Sequence, residues 1–168
     1  MFNKKRSDFE ALVRAYSAEL YRYGYWLSRD RLTAEDLVQE TFARAWSGWM
    51  TLRDPKAARK WLYTILRREH ARTFERKRLD IVDDQDLDTL EDTRLATISA
   101  ELEVREFLAQ LPQSYHEPLL LQVVGGFTCE EIAKIMDVSC GAVMTRLSRA
   151  RLALRRKSER RGSRESSA

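Results

Sequence analysis

TCEEIAKIMDVSCGAVMTRLSRARLALR, residues 128–155, is the stretch whose reading decides the fold. Thr128 and Glu131 stand at the two ends of a capping box, and Ile132, Ala133, Ile135 and Met136 follow as the apolar side of a short helix. Asp137-Val138-Ser139 turns the chain, with Ser139 placed to cap a second helix that begins near Cys140 and carries Val143, Leu147, Ala150 and Leu154 inward. Two short helices around a tight turn make a helix-turn-helix. The outward positions of its second helix include Thr145, Arg146, Arg149, Arg151, Arg155 and Arg156, a positive bias on the element that enters a major groove in such motifs.

Upstream, helical periodicity resumes near Ile98 with Leu102, Phe107, Leu108 and Leu111, and it stops at Pro112. Another helix is expected from about Ser114 through Leu119, Leu120, Val123 and Val124, ended by Gly125-Gly126. Before it lies LDIVDDQDLDTLED, residues 79–92, with seven acids, no base and no sustained stripe. It reads as a flexible linker.

The first part of the chain holds three more helix starts. Ser7 and Glu10 are spaced as a capping box ahead of the stripe Phe9, Leu12, Val13, Tyr16, Leu20, Tyr23 and Leu27. Thr33 and Asp36 open a second helix bearing Leu37, Val38, Phe42, Ala45, Trp46 and Trp49. Asp54-Pro55 opens a third, with Asp54 as cap and Pro55 in the first turn, running through Trp61, Leu62, Ile65 and Leu66 to about Arg78. The expected fold is therefore all-α: two small helical domains, three helices over residues 1–78 and a helix-turn-helix domain over 98–157. An acidic linker at 79–97 joins them, and a frayed basic tail follows at 158–168.

Composition agrees with this reading. Hydrophobic residues make up 43% of the chain, with only six Gly and three Pro, enough apolar material for packed cores and little support for sheet. Charge is partitioned along the chain. Residues 1–78 hold 18 Lys/Arg against 10 Asp/Glu, residues 79–107 hold 2 against 10, and residues 108–168 hold 10 against 6. Such blocks suit two polyanion-binding modules separated by a segment that nucleic acid repels. The start, MFNKKRSDFE, has no apolar signal core and no stretch is long enough to span a bilayer, so the expected location is the cytoplasm. Cys129 and Cys140, eleven residues apart, and the distant His70 and His116 suggest no metal site. No phosphate-binding glycine loop or nucleophile arrangement is visible, so neither an enzyme nor a cofactor is expected.

DLVQETFARAW at 36–46, KAARKWLYTILRREHARTFERKR at 56–78, and LPQSYHEPLLLQVVGGFTCEEIAKIMDVSCGAVMTRLSRARLALR at 111–155 together resemble the signature segments of extracytoplasmic-function sigma factors. The order and spacing of the three agree, and the resemblance covers roughly residues 7–157. It implies a region-two-like and a region-four-like domain, with the family's linker where the acidic tract stands. It also implies three partners: core RNA polymerase, promoter DNA and an anti-sigma factor, with no small-molecule substrate.

The resemblance gives each surface a role. Glu35, Asp36, Gln39 and Glu40 leave an acidic, hydrogen-bonding face suited to a basic partner. Similar segments in the family bind the clamp helices of the largest polymerase subunit, which implies that role for Asp36, Gln39, Glu40 and Thr41. The tract from Arg53 combines cations that track phosphates with aromatics that hold an unstacked base. The resemblance makes it the −10 surface, with Arg53, Lys56, Arg59, Lys60, Tyr63, Arg67, Arg68 and Arg72 as contacts and the loop 48–56 receiving a flipped base; Trp61 and Leu62, as large apolar side chains of a helix, are expected in the core rather than as base platforms. The helix after Ser139 takes the −35 duplex through Ser139, Thr145, Arg146 and Arg149, with Arg146 placed for a guanine edge. Cys140 stands where many members of the family have Pro or Glu. The rival reading, a stand-alone repressor or activator that uses the helix-turn-helix, does not require the DLVQETF segment or its basic-aromatic sequel.

Overall fold

The computed structural model describes residues 2–80 and 98–167, and the linker expected at 79–97 lies almost wholly outside the described residues. The chain divides into two compact units, Met1–Thr93 and Arg94–Ala168. Among the described residues all regular structure is helical.

In the first unit, α1 (Phe2–Ser28), α2 (Arg31–Gly48) and α3 (Ala58–Asp80) pack on one another. Their facing stripes bury Leu20, Tyr23, Leu27, Ala34, Leu37, Ala45, Leu62, Tyr63 and Leu66. Phe9 meets the edges or faces of Phe42, Trp46 and Trp49 at ring-centroid distances of 6.3, 5.0 and 5.5 Å. The first helix starts before the expected Ser7 cap. Nothing in the preceding residues breaks a helix, and an Arg6–Glu10 pair at 3.0 Å supports the added turn. The cap of α2 is Asp30 rather than Thr33: its carboxylate accepts from the Thr33 amide at 2.8 Å and the Thr33 hydroxyl at 2.5 Å. Those two bonds hold the Asp30 carboxyl below its ordinary pKa, the hydroxyl bond contributing most. Between α2 and α3 the chain makes two short 3-10 turns, Trp49–Thr51 and Pro55–Ala57, and Asp54 caps the second by accepting from the Lys56 amide at 2.9 Å.

The second unit consists of α4 (Ile98–Gln110), α5 (Gln113–Val123), α6 (Cys129–Met136) and α7 (Cys140–Glu165). Its core joins Phe107, Leu108, Leu111, Leu120, Leu121 and Phe127 to the inward faces of the helix-turn-helix. Leu102, Val123 and Leu154 were expected inward from their spacing, yet they are 44%, 71% and 48% exposed. Both turns rest on special backbone. Gly126 (φ 65°) follows α5, and Asp137 (φ 54°) ends α6 in the left-handed region, one of the few conformations where Asp is tolerated. Gly125 is required for a different reason, since a Cβ there would lie 2.7 Å from the Leu121 carbonyl oxygen and 2.7 Å from the Phe127 ring.

The frayed tail expected at 158–168 is a correction: α7 continues to Glu165. Its extension is tied back to α4 by an Arg161–Glu103 ion pair, and the Lys157 ammonium sits 5.6 Å from the centre of the Phe107 ring. These contacts give the added turns partners that periodicity alone did not reveal.

Candidate nucleic-acid interface

The apolar stripe of α2 faces α1 and α3, which turns Glu35, Asp36, Gln39 and Glu40 outward. All four are exposed. Thr41 is not: it is fully buried, and its hydroxyl donates to the Leu37 carbonyl at 2.6 Å. The expectation that Thr41 meets a partner is corrected on that ground. It lies one turn beyond Leu37 on the inward stripe, where a small side chain can return its hydroxyl to the backbone.

On α3 the basic residues divide between surface and scaffold. Arg68, Arg72 and Arg76 are spaced four apart and exposed, which gives one cationic row along the helix. Lys60 and Arg67 are half-buried, and Arg53 and Lys56 are exposed in the loop between α2 and α3. Phe74, 55% exposed, adds an aromatic face in the same tract.

Tyr63 is a second correction, because it is fully buried with its ring 4.9 Å from that of Tyr23. Its hydroxyl donates to Glu19 at 2.8 Å. Burial and that hydrogen bond push the phenol well above its ordinary pKa, so it is a neutral core group rather than a base platform. Arg59 is bound to the same Glu19 oxygen, through Nε at 2.7 Å and through Nη2. Although burial works against its charge, the Glu19 carboxylate raises the Arg59 pKa further. Arg59 therefore ties α3 to α1, with its side chain 31% exposed. Leu62 is core as expected, and Trp61 packs so closely against Gly48 that a Cβ there would lie 2.9 Å from its ring.

Two acids that the sequence reading did not single out organise this unit. Glu19 collects Arg59 and Tyr63. Glu69, only 7% exposed, takes Arg44 of α2 at 2.6 Å and Arg72 at 3.2 Å. The available signal was position: Glu19 sits between Tyr16 and Tyr23 at the margin of an apolar stripe, and Glu69 is one of only two acids in the basic tract 56–78. His70, next to it, is buried, and burial with the nearby charges of Lys77 and Arg67 lowers its pKa to about 4.

In the second unit, Thr128 caps α6 as expected: its hydroxyl accepts from the Glu131 amide at 3.3 Å. Ser139 caps α7 in the same way, accepting from the Ala142 amide at 3.1 Å. With Val143, Leu147 and Ala150 buried, Thr145 and Arg149 stand exposed and Arg146 half-buried on the outer side. Arg149 donates to the Tyr115 hydroxyl at 3.2 Å, and Arg151 donates to the Gln122 side chain at 2.7 Å. Arg146 makes no ion pair among the described residues, which leaves its five donors available. Exposed N-terminal residues, a capped first turn and a cationic outer face together can approach a duplex groove.

Comparison with known proteins bears on both units. The sigma-70 region 2 family model matches residues 12–79, and the sigma-70 region 4 model matches residues 101–154. The chain is 31% identical over 162 residues to the RNA polymerase sigma factor YlaC of Bacillus subtilis, covering 91% of this chain and 93% of the relative. It is 34% identical to the ECF RNA polymerase sigma factor EcfG of Rhodopseudomonas palustris, covering 87% and 80%. The chain belongs to the extracytoplasmic-function sigma factors of the sigma-70 family. The sigma factor RpoE of Bartonella quintana, solved in complex with the anti-sigma factor NepR, shares its fold at a TM-score of 0.75 and 25% identity, covering 89% of this chain and 95% of that one. CnrH, solved with the cytosolic domain of CnrY, shares the fold at a TM-score of 0.72 and 22% identity, covering 92% and 89%. Among the described residues of this sigma factor no helix is long and apolar enough to cross a membrane.

Proposed function

We propose that this alternative sigma factor acts in the cytoplasm, binds core RNA polymerase through the acid face of α2, and directs it to promoters by two DNA contacts. The first unit takes the −10 element as separated strand, using Arg53 and Lys56 in the loop and Arg68 and Arg72 on α3, with Lys60 and Arg67 at the margin. The second unit takes the −35 element as duplex, with Ser139 at a phosphate and Thr145, Arg146 and Arg149 toward the groove. Promoter opening is then binding chemistry: captured bases and phosphates stabilise the separated strand, and the chain needs no hydrolytic or redox step of its own. An anti-sigma factor holds the protein inactive by covering these surfaces; the similar sigma factor RpoE, solved in complex with the anti-sigma factor NepR, supports the existence of such a partner.

The observation that carries the reading is a separation of charge within the first unit. On α2 the acids Glu35, Asp36 and Glu40 are exposed together, while Arg68, Arg72 and Arg76 form an exposed cationic row along α3. One face repels a nucleic acid and suits a basic protein surface; the other attracts phosphate.

In vitro transcription with core polymerase and a genomic library tests it. The expected result is new transcripts whose start sites share a −35 and a −10 sequence, appearing only when core and this chain are both present. Tight, specific operator binding by the chain alone, with no new transcripts on adding core, would overturn it in favour of a stand-alone regulator.

A further inference from the structure

Arg44 stands between two carboxylates. Its Nε lies 2.8 Å from Glu40 on α2 and 2.6 Å from Glu69 on α3, and the same Glu69 oxygen accepts from Arg72 at 3.2 Å. Nε carries one hydrogen, so it can serve only one of the two acids well at a time. Glu69 is almost withdrawn from water and must draw compensation from the cations beside it. Glu40, Arg44 and Arg72 are by contrast half exposed, with side-chain exposures of 49%, 45% and 55%. The chain of ion pairs thus begins on the acid face of α2 and ends on the arginine row of α3.

We infer that Glu69 is a positioning residue through which the acid face of α2 sets how freely Arg72 can meet a phosphate. When a cation of a partner takes up Glu40, Arg44 turns wholly to Glu69. The Glu69 charge is then compensated from α2, and Arg72 is released to the strand beside Arg68 and Arg76. Without that partner, Arg44 is divided and Arg72 remains the counterion of Glu69. Polymerase binding and single-strand capture are in this way linked by three ion pairs among four side chains. The inference rests on the proposed roles of α2 and α3.

The test is a titration of the full-length chain against a fluorescein-labelled single-stranded oligonucleotide at several salt concentrations. Glu69→Gln frees Arg72 and should raise affinity about two- to fivefold, the range of one exposed ion pair. The log–log salt slope should steepen by about 0.7 as one phosphate contact is added. Arg44→Gln leaves Glu69 to Arg72 alone and should lower affinity by a similar factor. Glu40→Gln, at an exposed site that folding does not depend on, sends Arg44 to Glu69 and should raise it. In an Arg72→Gln background each of these changes should vanish, whereas a mere effect of net charge persists there. Persistence, or an unchanged affinity in both Glu69→Gln and Glu40→Gln, overturns the inference. Replacing Arg67 and Arg68 together by Gln separates the two levels. If that pair loses affinity while the cycle is additive, only the coupling is wrong; if it binds as the parent does, the assignment of α3 fails and the coupling with it.

Discussion

Tyr63 donates its hydroxyl to Glu19 across 2.8 Å, joining the second turn of α3 to α1 beside a core that holds the Tyr23 ring. This partly buried bond gives an aromatic residue of the basic tract a structural task. Tyr63→Phe should reduce stability of the first unit by about 1.5–3 kcal/mol, as for one hydrogen bond to a charged carboxylate, and should leave single-strand affinity unchanged. All four tryptophans, Trp26, Trp46, Trp49 and Trp61, lie in this unit, so denaturation followed by their fluorescence reports on it within the intact chain. A loss of single-strand binding with unchanged stability would return Tyr63 to the DNA surface.

Acid should loosen the same unit before its carboxylates are titrated. His70 has an ordinary pKa of 6.5 and is held at about 4 in the folded chain, first by burial and then by Lys77 and Arg67. Between those values the unfolded chain binds a proton that the folded chain refuses. Stability is therefore fully present above pH about 6.5 and falls as pH drops toward about 4, by up to about 3 kcal/mol. The fluorescence-detected unfolding midpoint of the parent should decline over that window and that of His70→Gln should decline less. Parallel curves for the two proteins would contradict the burial of a neutral imidazole.

Much of the fold was legible because helices, caps and turns are local. Thr128, Ser139 and Asp54 cap where their side-chain chemistry placed them, and Ile132, Ile135, Met136, Val143 and Leu147 are buried on the period that identified them. Misreadings came from choices that only tertiary contact decides. Asp30 and Thr33 are both cap residues, and the sequence does not say which carboxylate or hydroxyl closes the turn. Tyr63 and Thr41 were read as contacts from the family resemblance, yet each falls on the inward side of its helix. Glu19 and Glu69 matter through arginines that helix packing brings to them, one from 40 residues away and one from α2.

Gly125 offers a prediction confined to the second unit. Gly125→Ala must displace either the Leu121 backbone or the Phe127 ring, because its new methyl would meet both at 2.7 Å. The consequence is a loss of about 1–3 kcal/mol by overpacking. Hydrogen exchange in α5, α6 and α7 should accelerate, while the tryptophan-detected transition of the first unit stays where it was. Unchanged protection of α5 and α6 would mean that the turn adapts to a side chain.

Arg146 and the arginine row of α3 should fail differently. Arg146→Ala should relax preference at one −35 base pair, at a penalty of about 1–3 kcal/mol there, and leave strand opening intact once polymerase is bound. Replacing Arg67, Arg68 and Arg72 together should keep the −35 preference but reduce open complexes, with a shallower dependence on salt. A promoter melted in advance should rescue the triple variant far more than Arg146→Ala. Equal rescue of both would remove the division of labour between the two units.

Permanganate footprinting of a duplex promoter, which marks unpaired thymines, tests the central claim most directly. With core polymerase and this chain together, reactive thymines should appear across the −10 element without any added nucleotide. Neither component alone should produce them, and Asp36→Lys with Glu40→Lys should abolish them without unfolding the chain. Reactivity generated by the chain alone, or a pattern unchanged by the double reversal on α2, would contradict an initiation factor that engages polymerase through that face.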